Sequence, residues 1–148
     1  MKIVIATDHN GVNEKKEIIK YLENKNIEIL DLSRDNTPTD DYPDFAFRVA
    51  ESVINNECYF GILLCGTGIG MSIAANKVKG IRCAHTSNVD EASLARLHND
   101  ANMLALSYKN DLETILNIID KFIETPFSNE ERHIRRINKI SKYEENNG

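Results

Sequence analysis

Only three cysteines occur in 148 residues: Cys58, Cys65 and Cys83. An odd set with no CxxC spacing supports neither a disulfide framework nor a zinc site, so reduced thiols in a cytoplasm fit best. With three prolines and seven glycines, no linker-like stretch, internal repeat or second domain stands out. No stretch approaches the ~18 apolar residues of a membrane span, and the apolar start within Met1 to Asp8 is too short for a signal peptide. An excess of positive charge is missing too. Against 23 Asp+Glu stand 18 Lys+Arg, a formal charge of −5, which disfavours a protein built to grip nucleic acid or an anionic membrane. What remains suffices for one core. At 41% hydrophobic residues, a chain of this length buries roughly 70% of its unfolded surface without a metal or disulfide staple.

Short apolar runs alternate with longer amphipathic segments, and that order sets the fold class. Five runs read as strands: 2–7 (KIVIAT), 27–32 (IEILDL), 59–65 (YFGILLC), 81–84 (IRCA) and 103–107 (MLALS). Helices are predicted over 13–25, 43–55, 70–77, 89–98 and 112–123, with a last one over 129–143. In the second, Phe45, Ala46, Val49, Ala50 and Val53 share a face, and Pro43 suits the first turn, where its missing N–H leaves nothing unpaired. Such alternation with short connections implies a parallel sheet covered on both faces, a doubly wound three-layer α/β domain. The flavodoxin-like strand order 2-1-3-4-5 is expected. It places the topological switch between strands one and three, and ligands bind there, outside the carboxyl ends. Residues 144–148 read as a frayed tail.

That forecast selects two loops. In Cys65-Gly66-Thr67-Gly68-Ile69-Gly70-Met71-Ser72, glycines at alternate positions between a strand and a helix let backbone N–H groups converge on an anion. No GK[ST] follows, and Met71 stands where a dinucleotide fingerprint needs its last glycine. The plain alternative is a tight strand-to-helix turn. Cys65 sits at the mouth of this loop, where N–H dipoles favour negative charge on sulfur, so it is a candidate base or nucleophile; Cys58 and Cys83 read as small buried hydrophobes. Asp8 and His9 end the first strand on the other side of the cleft. They offer a carboxylate and an imidazole for acid–base work, or else a helix N-cap and a solvated histidine.

Other residues are less well placed. His98-Asn99 closes the helix after the fourth strand, and helix-to-strand turns lie at the amino ends of strands, away from the expected site. By that argument His98 is a helix C-terminal cap, unless it reaches across a symmetric subunit interface. Arg132 and Arg136, spaced i, i+4, present two guanidinium groups on one helix face, as a fork for a phosphate or as a solvated charged face. Tyr42, before Pro43, is placed to cover a ligand or to pack at the helix start. His85 and His133 have no evident partner and read as surface residues.

With Asp8-His9, Asp41-Tyr42-Pro43, the run CGTGIGMSIAANK from Cys65, His98-Asn99-Asp100-Ala101-Asn102 and Arg132-His133-x-x-Arg136 in this order, the chain resembles ribose-5-phosphate isomerases of the B type. The family also includes galactose-6-phosphate and allose-6-phosphate isomerases. The likeness runs from Lys2 to about Ile140. It implies that Cys65 moves a proton between C2 and C1 of the open-chain sugar, and that backbone N–H groups of Gly66, Thr67, Gly68, Ile69 and Gly70 hold the enediolate. It implies further that His98 opens the furanose ring with help from Asp8, that Thr67 joins the catalytic set, and that Asn99 and Tyr42 contact substrate. His9, Arg132 and Arg136 would bind the phosphate. The family's dimer builds each site from two chains, with 129–148 packing on the partner and a tetramer left open; no metal or organic cofactor is implied. Ser107-Tyr108-Lys109 stands where the family usually has Gly-Ala-Arg, so Lys109 takes the place of a phosphate-side arginine without its bidentate fork. The stretch 126–131 is also longer and more acidic than the family's glycine-rich version.

The leading expectation is therefore an isomerase of the pentose phosphate pathway interconverting ribose 5-phosphate and ribulose 5-phosphate. A six-carbon sugar 6-phosphate is the runner-up substrate. A non-catalytic phosphate or nucleotide sensor on the same scaffold would explain the glycine loop but not Cys65. A response-regulator receiver is disfavoured, because an aspartate should end the third strand where Cys65 stands.

Overall fold

Side chains alternate across a strand, so strands apolar at every position need cover on both faces. The computed structural model describes residues 1–55 and 57–147 and places five strands in one parallel sheet, of which the third and central one, FGILLC, is buried at every position. They are β1 (Lys2–Thr7), β2 (Glu28–Asp31), β3 (Phe60–Cys65), β4 (Cys83–His85) and β5 (Met103–Ser107). Around them lie α1 (Val12–Glu23), α2 (Tyr42–Ile54), α3 (Ile69–Ala75), α4 (Val89–Asn99), α5 (Leu112–Glu124) and α6 (Glu131–Asn147). Val4, Ala6, Leu63, Cys65, Met103 and Ala105 face α2 and α3. Ile3, Ile5, Ile62, Leu64, Leu104 and Leu106 face α1, α4 and α5. The doubly wound, three-layer class expected from the sequence is the one that forms.

Its strand order is β2-β1-β3-β5-β4, so the expected 2-1-3-4-5 is wrong at one edge. Burial explains the exchange. MLALS is buried at four of five positions and needs a neighbour on each side, whereas three-residue β4 is buried only at Cys83 and suits an edge. Right-handed crossovers then distribute the helices. Connections stepping one way across the sheet, α2 and α3, cover one face; those stepping back, α1 and α4, cover the other. The switch between β1 and β3 survives the correction, because the chain still leaves β1 for one edge and β3 for the other.

Two further departures concern the ends of elements. The strand over 81–84 shifts to Cys83–His85, because Arg82 is held outside the ladder by Asn102, whose Oδ1 accepts the Arg82 N–H at 2.8 Å. Where a frayed tail was expected, α6 continues to Asn147. Glu144 accepts the Gly80 N–H at 3.0 Å and fastens that last turn to the α3–β4 connection. Gly148 lies outside the described residues.

Candidate active site

The glycine loop leaves β3 and enters α3 through Gly68 at φ 83°, a left-handed conformation that favours glycine. A Cβ there would also stand 2.8 Å from the His85 ring and 3.0 Å from the Leu106 backbone. This turn brings the Gly68 N–H onto Cys65 Sγ at 3.1 Å and the Ile69 N–H onto Thr67 Oγ1 at 3.1 Å. The Thr67 and Gly70 amides donate to no protein acceptor among the described residues and remain for an anion. Tyr42, the first residue of α2, packs its ring so closely on Gly70 that a Cβ there would lie 2.6 Å from it. The cradle is fixed from beneath by β5: Ser107 Oγ donates to Gly66 O at 2.8 Å and the Tyr108 N–H to Cys65 O at 3.2 Å. These bonds exist because β5, not β4, lies beside β3.

Asp8 and His9 emerge from β1 across the cleft. Among the described residues Asp8 Oδ1 accepts only the nearby Asn10 N–H, at 3.0 Å, and Gly11 takes the N-cap of α1, so the N-cap reading of Asp8 does not hold. His9 Nδ1 lies 2.7 Å from Asp40 Oδ1, which also accepts the His9 N–H at 3.0 Å. Burial pushes the Asp40 carboxyl up, but hydrogen bonds from Asn36, His9 and Thr37 outweigh it and hold the group below its ordinary 3.8. An ionised Asp40 can only accept, so His9 Nδ1–H donates to it and the other ring nitrogen is left to meet substrate. Asp40 went unnoticed in the sequence because it sits in an ordinary helix-start run of aspartates.

The loop behind it holds the end of β1 in place. Asn36 Nδ2 donates to Thr7 O at 2.9 Å and to Asp40 Oδ2 at 2.9 Å, while Ser33 Oγ accepts the Thr7 N–H at 3.0 Å. Lys15, only 4% exposed, reaches Asp31 at 3.0 Å and Ser33 O at 3.0 Å and binds this loop to α1.

Tyr108 is the other residue that sequence reasoning left without a role. Its hydroxyl lies 3.6 Å from where a Cβ on Gly66 would stand, and its ring edge 2.8 Å from the corresponding point on Gly11, so it spans the two loops. Burial, reinforced by the charge of Asp8, pushes its phenol above the ordinary 10, which keeps a neutral hydroxyl beside Cys65. Lys109 follows it, exposed, at the same end of the sheet. Burial pushes the Cys58 thiol up and the Cys83 thiol up to about 12, which disfavours their thiolates.

His98, Asn99, Arg132 and Arg136 lie elsewhere. The turn after α4 meets the amino end of the sheet, where Gly61 N–H donates to Asn102 O and the Arg96 guanidinium covers the Phe60 ring at 4.9 Å. From Phe60 to Cys65 the strand runs about 17 Å, so within one chain this cluster is remote from the cysteine. His98 stacks on His133 with ring centroids 4.4 Å apart. His133 is not the surface residue expected: it is 4% exposed, and its Nδ1 meets Ser128 Oγ at 2.7 Å. His85 is exposed but not unpartnered either, since Nε2 lies 2.8 Å from Thr67 O. Thus ten of the fourteen expected residues converge at the carboxyl ends of β1, β3 and β5: Asp8, His9, Tyr42, Cys65, Gly66, Thr67, Gly68, Ile69, Gly70 and Lys109.

Residues 3–140 match the family described as Ribose/Galactose Isomerase. A Mycoplasma pneumoniae protein named "Probable ribose-5-phosphate isomerase B" is 43% identical over 144 residues, covering 96% of this chain and 94% of that one. Among solved structures, ribose-5-phosphate isomerase B of Clostridium thermocellum superposes with a TM-score of 0.95 at 44% identity, over 100% of both chains. The Mycoplasma genitalium enzyme with bound ribulose-5-phosphate gives 0.91 at 44% identity, over 97% of this chain and 96% of that one. With its fold and nearly its whole length in common with these proteins, the chain belongs to the ribose/galactose isomerase family.

Proposed function

We propose that this chain interconverts ribose 5-phosphate and ribulose 5-phosphate, with Cys65 as the base. The observation that carries the assignment is the Gly68 N–H donating to Cys65 Sγ at the mouth of an anion cradle. A sulfur held there takes the proton from C2 of the open-chain aldose and returns it at C1. The intervening enediolate puts negative charge on oxygen, and fixed backbone dipoles meet that charge without having to reorganise. Thr67, Asp8 and the neutral Tyr108 hydroxyl supply polar contacts around the reacting carbons; Lys109 supplies charge and His9 a ring nitrogen for the phosphate. Such a reaction needs a base and anion stabilisers, which the chain's own residues provide. The bound pentulose phosphate in the Mycoplasma genitalium relative favours the five-carbon substrate over a six-carbon one.

Ring opening and the second half of the phosphate site fall to His98, Asn99, Arg132 and Arg136 of a second copy. Their distance from Cys65 within one chain supports this reading, as does α6, which leaves Ile134, Ile140 and Tyr143 39%, 48% and 71% exposed beside them. In that dimer the segment 129–148 packs on the partner. Among the described residues no helix is long and apolar enough to cross a membrane, and three free thiols suit a cytoplasmic enzyme.

The decisive experiment follows ribose 5-phosphate by NMR in deuterated water with the protein and its Cys65→Ala variant. Ketose formation that depends on Cys65, with solvent deuterium entering at the exchanging carbon, is expected. Full turnover by Cys65→Ala removes the cysteine from the mechanism, and no turnover by either protein removes the substrate.

A further inference from the structure

One peptide unit in the glycine loop is held from both ends. The carbonyl of Thr67 lies 2.8 Å from His85 Nε2, and the N–H of the next residue, Gly68, lies 3.1 Å from Cys65 Sγ. In a trans peptide the C=O and N–H point in opposite directions, so whatever fixes one aims the other. A glycine on the far side of that peptide makes rotation of the unit easy, and an outside anchor correspondingly important. His85 is such an anchor. It ends β4, pairs in register with Ala105 of β5, and is followed by a Thr86 N–H donating to Ala105 O at 3.3 Å. The Leu106 backbone crowds Gly68 alongside the His85 ring, so the peptide has a wall as well as a tether.

We infer that His85 is a positioning residue, which holds the Thr67 carbonyl and thereby keeps the Gly68 N–H aimed at the sulfur that serves as base. This deepens the isomerase reading and rests on its assignment of Cys65. A carbonyl only accepts, so Nε2 is the donor; that nitrogen carries a proton in one neutral tautomer and in the cation, so the tether does not require a charged ring. His85 touches no reacting atom and acts through the loop.

The test compares His85→Leu, which keeps bulk on an exposed edge strand but has no donor, with His85→Gln, which restores an N–H at similar reach. Steady-state kinetics on ribose 5-phosphate would be run beside the alkylation rate of Cys65 by iodoacetamide, read by mass spectrometry against Cys58 and Cys83. His85→Leu is expected to lower kcat roughly tenfold, less than the 10²–10³ of deleting an oxyanion donor outright. KM should stay within about twofold, because the lost bond serves the transition state more than the ground state. Alkylation of Cys65 should slow several-fold, and His85→Gln should recover most of both. A purely structural role predicts that Gln fails as Leu does; that result, or Leu behaving as wild type in both assays, overturns the inference. If Leu unfolds the chain, His85→Asn, too short to reach Thr67, takes its place with the same expectations. Should the wild-type protein not isomerise ribose 5-phosphate, the isomerase reading fails, and the alkylation comparison still decides the role of His85.

Discussion

The two ends of the sheet hold the same kinds of side chain in different states of completeness. At the carboxyl end, Cys65, the glycine loop and His9 are each tied to a defined partner: Gly68 N–H to sulfur, Ser107 to Gly66, Asp40 to His9. At the amino end, His98 is stacked on another imidazole and Arg132 is exposed, 3.5 Å from Glu130. The first arrangement has a thiol and an anion cradle but few cations; the second, among the described residues, has arginines and imidazoles but no thiol beside a glycine loop. Each is what the other lacks. The difference favours the proposed dimer, in which opposite ends of the sheets from two chains would meet, an arrangement that two-fold symmetry supplies twice over.

The largest expected effect breaks the comparison directly. Cys65→Ala and His98→Ala should each lose about 10²–10⁴-fold in turnover, the usual contribution of an acid–base group. Mixed by co-refolding, they should recover roughly a quarter of wild-type activity, since half the dimers pair unlike chains and each of these has one intact site of two. A mixture as inactive as its parents would show that Cys65 and His98 serve the same chain's site or no common site.

A smaller effect ranks the two ends as phosphate binders. Arg136→Ala removes a charge-assisted contact of about 1.5–3 kcal/mol, so KM for ribose 5-phosphate should rise about 10- to 100-fold with little change in dimerisation. Lys109→Ala, at the other end, removes a point charge without a fork and should raise KM only a few-fold. Steady-state kinetics with sedimentation of each variant tests both, and the reverse ranking would move the phosphate to the Lys109 side.

How far these ends were legible in the sequence follows from what each depends on. The carboxyl-end site was readable because strand order enters it only through the β1–β3 switch, and the alternating glycines and Cys65 are consecutive residues. The exchange of β4 and β5 is not legible from chain order, because adjacency along the chain is not adjacency in space; the apolar run 103–106 against the short, polar-flanked 81–84 is the signal that carries it. Lys15 acts on Asp31 16 positions away, Asp40 on His9 31 positions away and Tyr108 against the distant Gly11, and no local pattern announces these pairings. His133 was misread for the same reason. Its burial depends on the loop 125–130 folding back on α4, where the Ser128 N–H donates to Leu97 O at 3.0 Å.

That fold-back gives the smallest and most local expectation, a pH dependence confined to one end. Burial, and next to it His98, push His133 below its ordinary 6.5; Arg132 and Arg136 act in the same direction, and Glu130 opposes them. The unfolded chain takes up this proton near 6.5 while the folded one resists, so the stability involved is complete above about 6.5 and is lost as the pH falls toward the folded value. Acid should therefore loosen the contact of α6 with α4 and leave the glycine loop unchanged. Amide hydrogen exchange at about pH 7.5 and 5.5, corrected for intrinsic rates, should show protection falling in 94–99 and 128–140 but not in 66–71. In His133→Gln the drop should shrink, because the uncharged amide can still meet Ser128 and has no proton to gain. A drop of equal size in the variant would assign it to His98 or Glu130 instead, and an equal drop in the glycine loop would mean that the two ends do not respond to acid separately.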